Sequence, residues 1–284
     1  MSNHLSPLRY PGGKALVAPF LAQTIRRNHL DDGIYVEPFA GGAGAALSLL
    51  FSEIVSEIHL NDKDFFVYSF WRSVLFQSDK FLSLLSSVKV NVNTWKKQKN
   101  VMRHPDDHSQ LECGFAAFFL NRCNRSGVFN AGPIGGLKQN GTYKIDARFN
   151  KHELGRRIER IQLYANRIKI SRLDGIKFLR NYFGKTDKPH SQHLVYLDPP
   201  YVTKAERLYP LYFEHSDHLR LANFLNKEAR FPWIVSYDDV TPIRKLYVSG
   251  RRSIAKSYCL HSARVGRELL ISSANCLLPS TRLY

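Results

Sequence analysis

Short apolar runs bounded by polar or glycine-rich breaks recur along the chain, and several of them end on an acid. Ile34-Tyr35-Val36 runs into Glu37-Pro38, Glu57-Ile58-His59-Leu60 into Asn61-Asp62, and Leu194-Val195-Tyr196-Leu197 into Asp198. Runs this short and this apolar predict buried strands. After the first comes Phe39-Ala40-Gly41-Gly42-Ala43-Gly44 and then the helix-like Ala45-Ala46-Leu47-Ser48-Leu49-Leu50. Two strands joined by a helix, with an acid closing the second, begin an open α/β sheet. Further on, Leu154, Ile158, Ile161, Ala165 and Ile168 recur at helical spacing, with Arg156, Arg157 and Arg160 on other faces. Ile168-Lys169-Ile170 predicts another strand, with Asp174 shortly after it, and Trp233-Ile234-Val235-Ser236 a fifth. Ser216 is the expected N-cap of a helix through Leu219, Ala222 and Leu225, and Thr241-Pro242 opens a short helix. The stretches 253–260 and 268–271 suit a terminal antiparallel pair.

Between about Lys63 and Asn150 the strand–helix alternation stops. Aromatic-rich helical stretches alternate there with polar loops, and Asn124-Arg125-Ser126-Gly127 and Gly132-Pro133-Ile134-Gly135-Gly136 are strong turn signals. The expected organisation is a discontinuous α/β domain, residues 1–62 and 151–284, with a mostly helical insertion at 63–150.

Charge narrows the choice of partner. Lys and Arg number 41 against 24 Asp and Glu, a net charge of +17 over 284 residues. Such an excess favours a polyanion, most often nucleic acid. The chain has four cysteines, Cys113, Cys123, Cys259 and Cys276, with no C-x-x-C pair, so neither a disulfide framework nor a zinc knuckle is expected. Met1-Ser2-Asn3-His4 shows no basic-then-apolar leader and no apolar run reaches membrane-span length. These features predict a soluble cytoplasmic protein.

The candidate chemistry sits at the strand ends. Gly41, Gly42 and Gly44 would let backbone approach a ligand, but the spacing is not the dinucleotide G-x-G-x-x-G. Glu37 beside that turn would oppose a pyrophosphate and suit a cationic ligand such as S-adenosylmethionine. Asp62 could accept from ribose hydroxyls and Asp174 from an adenine amine, although each could equally be a helix N-cap. Asp198-Pro199-Pro200-Tyr201 forms a rigid, acceptor-rich corner with an aromatic face, because proline fixes φ and removes N–H donors. It suits a planar ring bearing an exocyclic amine.

Arg9-Tyr10-Pro11-Gly12-Gly13-Lys14, Glu37-Pro38-Phe39-Ala40-Gly41-Gly42-Ala43-Gly44 and Asp198-Pro199-Pro200-Tyr201, in that order, resemble the motifs of Dam-like alpha-group DNA adenine N6-methyltransferases. Leu120-Asn121-Arg122 and Arg251-Arg252-Ser253-Ile254 extend the resemblance from about Leu5 to about Ser273. It implies a Rossmann-like fold, a mixed seven-stranded sheet with helices on both faces, carrying an inserted target-recognition domain. It also implies that Tyr10, Lys14, Glu37, Phe39 and the three glycines line S-adenosylmethionine, with Asp62 on its ribose and Asp174 near its adenine. Asp198 would face both cofactor and target amine, and Asp198 with the Pro199 carbonyl would hold the two amino hydrogens of a flipped adenine while Tyr201 stacks on its ring.

The insertion is expected to bind double-stranded DNA through Asn121, Arg122, Asn124, Arg125, Ser126 and Lys138, with Asn130, Asn140, Lys144 and Arg148 beside them. No metal is expected. The chain departs from the GATC-reading pattern: Gly132–Gly136 stands in place of a hairpin, and one arginine usual in those readers has no counterpart. Two alternatives stay open, a cytosine N4-methyltransferase, which usually has serine at the place of Asp198, and a retired methylase that only binds DNA. A monomer working beside restriction or other defence proteins is the expected setting.

Overall fold

The apolar runs become the strands of one seven-stranded sheet. The computed structural model describes residues 5–9, 17–201, 213–247, 251–260 and 262–280. The strands are β1 Ile34–Glu37, β2 Glu57–Asn61, β3 Ile168–Ser171, β4 His193–Leu197, β5 Trp233–Asp238, β6 Arg251–Leu260 and β7 Ser262–Ser272. Their spatial order is β3-β2-β1-β4-β5-β7-β6. The first five are parallel, and the β6–β7 hairpin joins β5 antiparallel.

Parallel strands covered on both faces need apolar residues at successive positions. Tyr35, Ile58, Leu60, Leu194, Tyr196 and Ile234 point into the core on one face. Ile34, Val36, Val195, Leu197, Trp233 and Val235 point into the core on the other. The alternation is the pleat of each strand.

Helices α1 Ala18–Arg27, α2 Gly44–Phe51, α3 Phe65–Phe76, α4 Ser78–Ser87, α5 Val92–Arg103, α6 Gln110–Cys123 and α7 Lys151–Leu163 follow in chain order, and all but α5 bury residues in the first core. Helices α8 Gly175–Phe183, α9 His215–Lys227 and α10 Thr241–Leu246 cover the second. The expected N-cap at Ser216 is corrected. Helix α9 begins at His215, and Glu214 and Asp217 close its first turn as a reciprocal capping box.

Residues 63–150 are largely helical among the described residues, yet they do not enclose a core of their own. Phe70, Trp71, Phe81 and Phe118 belong to the same buried cluster as Leu47 and Ile58 beside the sheet. Gly114 of α6 is the closest point of this packing. A Cβ there would lie 2.5 Å from the Ser69 carbonyl oxygen of α3, so only glycine lets the two helices approach.

Candidate active site

Strands β1 and β4 are neighbours in the sheet although some 160 residues of chain separate them, with Ile34 opposite His193 and Val36 opposite Val195. Sequential order reverses there: β2 and β3 extend to one side of β1, β5 to the other side of β4. Open α/β sheets bind ligands at the carboxyl ends of strands flanking such a reversal. The glycine turn leaves β1 and Asp198 leaves β4 at that point.

The turn is held by the chain around it. Gly41 has φ +47° and Ala43 φ +47°, both left-handed. The Gly41 N–H donates to Asp62 Oδ2 at 2.9 Å, and its carbonyl accepts from the indole Nε1 of Trp71 at 2.8 Å. Asp62 Oδ1 accepts the Asp64 N–H at 2.9 Å, and Asp64 in turn caps α3 through the Phe66 and Val67 N–H groups. One segment, residues 62–71, therefore grips Gly41 on both of its polar atoms. Burial, and then the Asp64 carboxylate, push the Asp62 pKa up to about 7, partly offset by the Asp64 and Gly41 N–H donors.

Asn61, fully buried, ties three strand ends together. Its Nδ2 donates to the Pro38 and Leu173 carbonyls at 2.9 and 3.0 Å, while its Oδ1 accepts from Ser171 Oγ and the Leu173 N–H, each at 2.9 Å. Asp174 caps α8 through the Ile176 and Lys177 N–H groups, so the N-cap role is realised. It also lines a narrow cleft with Phe39, Gly175, Ile176, Phe213 and Leu221. Phe39 and Phe213 meet edge to face, ring centres 5.6 Å apart. A Cβ on Gly175 would lie 2.7 Å from Phe39 Cζ, which is why glycine opens α8. Arg220, 3.8 Å from Asp174 and 3.0 Å from Asp217, closes the rim.

Glu37 is buried at the end of β1, and Gly42 and Gly44 complete the turn into α2. Asp198 is half-buried, Pro199 buried, and Tyr201 packs partly buried against the second core, as Phe39 does. Tyr10 and Lys14 lie outside the described residues.

The DNA-facing expectations divide. Arg125, Ser126 and Lys138 are exposed, as are Asn130, Asn140, Lys144 and Arg148, and Ser126 adopts φ +55°. Asn121 and Asn124 are corrected: both are buried and occupied within the chain. Asn121 accepts the Arg9 N–H at 2.6 Å and donates to the Arg9 and Gly127 carbonyls at 2.8 and 2.9 Å. Asn124 accepts from the Trp95 indole at 2.6 Å and donates to the Val128 and Phe129 carbonyls. Arg122 is also turned inward, with Nε on the Arg148 carbonyl at 2.8 Å. Burial and the guanidinium groups of Arg9, Arg157 and Arg148 bring its pKa down to about 9. Such residues shape the loop that presents Arg125. Polar type in a turn-rich segment does not distinguish a residue that reads a ligand from one that braces the loop.

Sequence reasoning missed Asn61, Trp71 and Phe213. The first hid behind the acid beside it, the second inside an aromatic helix read as part of a separate insertion. Among the described residues no His, Cys, Asp or Glu group could hold a metal ion, and no helix is long and apolar enough to cross a membrane.

A Type II methyltransferase, M.CviBI of Paramecium bursaria Chlorella virus NC1A, is 24% identical over 253 residues, covering 84% of this chain and 87% of its own. Solved structures with partial likeness include a conserved hypothetical protein of Streptococcus pyogenes, 12% identical over 86% of this chain and 88% of its own with a TM-score of 0.35. Another is the rRNA methyltransferase aviRa of Streptomyces viridochromogenes, 15% identical over 90% of this chain and 84% of its own with a TM-score of 0.33. The model of one enzyme family matches residues 10–260, from the segment before α1 to the end of β6 and through both strand ends at the sheet's reversal. The chain belongs to the D12 class N6 adenine-specific DNA methyltransferases.

Proposed function

We propose that the protein transfers a methyl group from S-adenosylmethionine to N6 of an adenine flipped out of double-stranded DNA, with Asp198 at the reacting amine. The observation that carries this reading is the meeting of the glycine turn and Asp198 on neighbouring strand ends at the sheet's reversal.

The residues present fit the cofactor. A carboxylate offers about four acceptor positions. Two of those on Asp62 are taken by Gly41 and Asp64, and the rest match a vicinal diol. The cleft beside Asp174 has aromatic and aliphatic walls with an acid at the rim, as a flat heterocycle bearing an amine requires. Asp62, Asp174 and Glu37 around a left-handed glycine turn favour a cationic ligand. When bound, S-adenosylmethionine supplies an electrophilic methyl on a sulfonium.

Adenine N6 is a weak nucleophile because its lone pair is delocalised into the ring. Asp198 and the Pro199 carbonyl would accept its two hydrogens and turn the lone pair toward the methyl. So held, N6 would be placed to accept the methyl group, and the proton it then loses would pass to water. Flipping costs a few kcal/mol, and stacking on Tyr201 returns about 1–3 kcal/mol. Orientation supplies most of the acceleration. Arg125, Ser126 and Lys138 would face the duplex.

Asp198→Ala is expected to reduce methyl transfer to background while nonspecific DNA affinity stays within about twofold, because that affinity rests on cations that meet phosphate and Asp198 is not one. Retained transfer would overturn the assignment. Base-resolution mapping of treated DNA identifies the recognition site, and protection of that site against a companion nuclease tests a restriction–modification role. The Type II designation of the viral relative supports that role. A monomer acting in the cytoplasm is part of the same reading.

A further inference from the structure

We propose that Ser236, itself held by Tyr196, is a positioning residue that fixes the Asp198 carboxylate for methyl transfer; this rests on Asp198 acting at the amine as above. Strands β4 and β5 run parallel with Leu197 opposite Val235, which brings Asp198 beside Ser236 one step further on. Ser236 Oγ donates to Asp198 Oδ1 at 2.9 Å. The Tyr196 hydroxyl lies 3.0 Å from the same Oγ. A serine hydroxyl has one proton, and here it is committed to Asp198. Tyr196 must therefore be the donor to Ser236, so the chain of bonds runs one way, from phenol to hydroxyl to carboxylate.

Both Tyr196 and Ser236 are fully buried, and both point to the sheet face that carries Ile234. A hydroxyl at such a place is costly unless it is bonded, and this one is bonded on both sides. The effect falls on Asp198. The last torsion of an aspartate is broad and nearly two-fold, so an unrestrained carboxylate samples many orientations. Anchoring Oδ1 from the neighbouring strand restricts that rotation. One oxygen of the carboxylate is thereby tied to the sheet. Methyl transfer needs the amine lone pair aligned with the bond that breaks, and small errors of placement are costly in rate.

The test is the isosteric pair Ser236→Thr and Ser236→Val. Both add the same bulk to the strand and differ only in the hydroxyl. With saturating DNA and cofactor, turnover of the valine variant is expected on the order of 10- to 100-fold below that of the threonine variant. KM for DNA and for S-adenosylmethionine should agree within about twofold between the two. Tyr196→Phe should lower turnover in the same direction by less. Equal turnover in the pair overturns the proposal, and so does a rise in KM with turnover unchanged. Crystal structures of the two variants supply a readout free of activity: Asp198 should keep its contact with threonine and rotate away from valine. Should the wild-type protein transfer no methyl group, the proposed reaction fails, and an Asp198 left unmoved in the valine variant still decides against the positioning role on its own.

Discussion

Asp62 shows how the surroundings of one side chain change its chemistry. An aspartate in water is ionised at neutral pH, but burial and Asp64 place this one at about 7. A ligand whose hydroxyls donate to the ionised form must displace the proton first. Affinity for S-adenosylmethionine is therefore expected to fall, by up to about tenfold per pH unit, as pH drops below 7, and to level off above it. The sign follows from a raised pKa in the free protein: the proton is bound before the ligand arrives and is lost when it does. Asp62→Asn should flatten the profile and weaken binding. Calorimetry across that range checks it, and a level wild-type profile would remove Asp62 from the cofactor. Asn61 beside it is an equally decisive residue with no titration at all. Its four hydrogen bonds hold the ends of β1, β2 and β3 in a fixed relation, so the acids after those strands stay in place.

At the scale of elements, α3 is the unexpected connection. It belongs by sequence to the insertion and by contact to the glycine turn. Trp71→Phe keeps the ring in the core and removes the indole donor, leaving the Gly41 carbonyl buried without it, at a cost of about 1–3 kcal/mol. Cofactor affinity should drop roughly tenfold or more, because the strained turn loses one of its two restraints. Gly114→Ala strains the contact of α3 with α6 but leaves the indole donor in place, so it should lower the thermal midpoint with much less effect on affinity. Equal affinity losses in the two variants at equal stability loss would mean that Trp71 acts through packing alone. Helix α6 carries the same logic to the loop that follows it. Its final turn delivers Asn121 and Asn124, which brace Arg9 and the loop that presents Arg125, so the segment before the Tyr10–Lys14 motif and the basic loop share their supports.

Over the whole molecule, the charge of +17 includes exposed groups such as Arg125 and Lys138, while the half-buried Arg122 braces the loop through the Arg148 carbonyl. Arg125→Ala is expected to weaken nonspecific DNA binding and to reduce the slope of log affinity against log salt by about one phosphate's worth, roughly 0.9. An unchanged slope with altered sequence preference would make Arg125 a base contact. Much of this architecture is legible in the chain alone. Apolar runs give the strands of a doubly covered sheet, glycines give the turn after β1, and the order of motifs gives the family, because each depends on neighbours in sequence. The tertiary structure decides what depends on distant neighbours. The single core shared by insertion and sheet and the inward turn of Asn121, Arg122 and Asn124 could not be read from local pattern. The same holds for the Tyr196–Ser236–Asp198 chain. Burial and hydrogen-bond partnership are set by segments far apart along the chain, and a polar residue in a turn looks the same in sequence whether it faces a ligand or holds the loop that does.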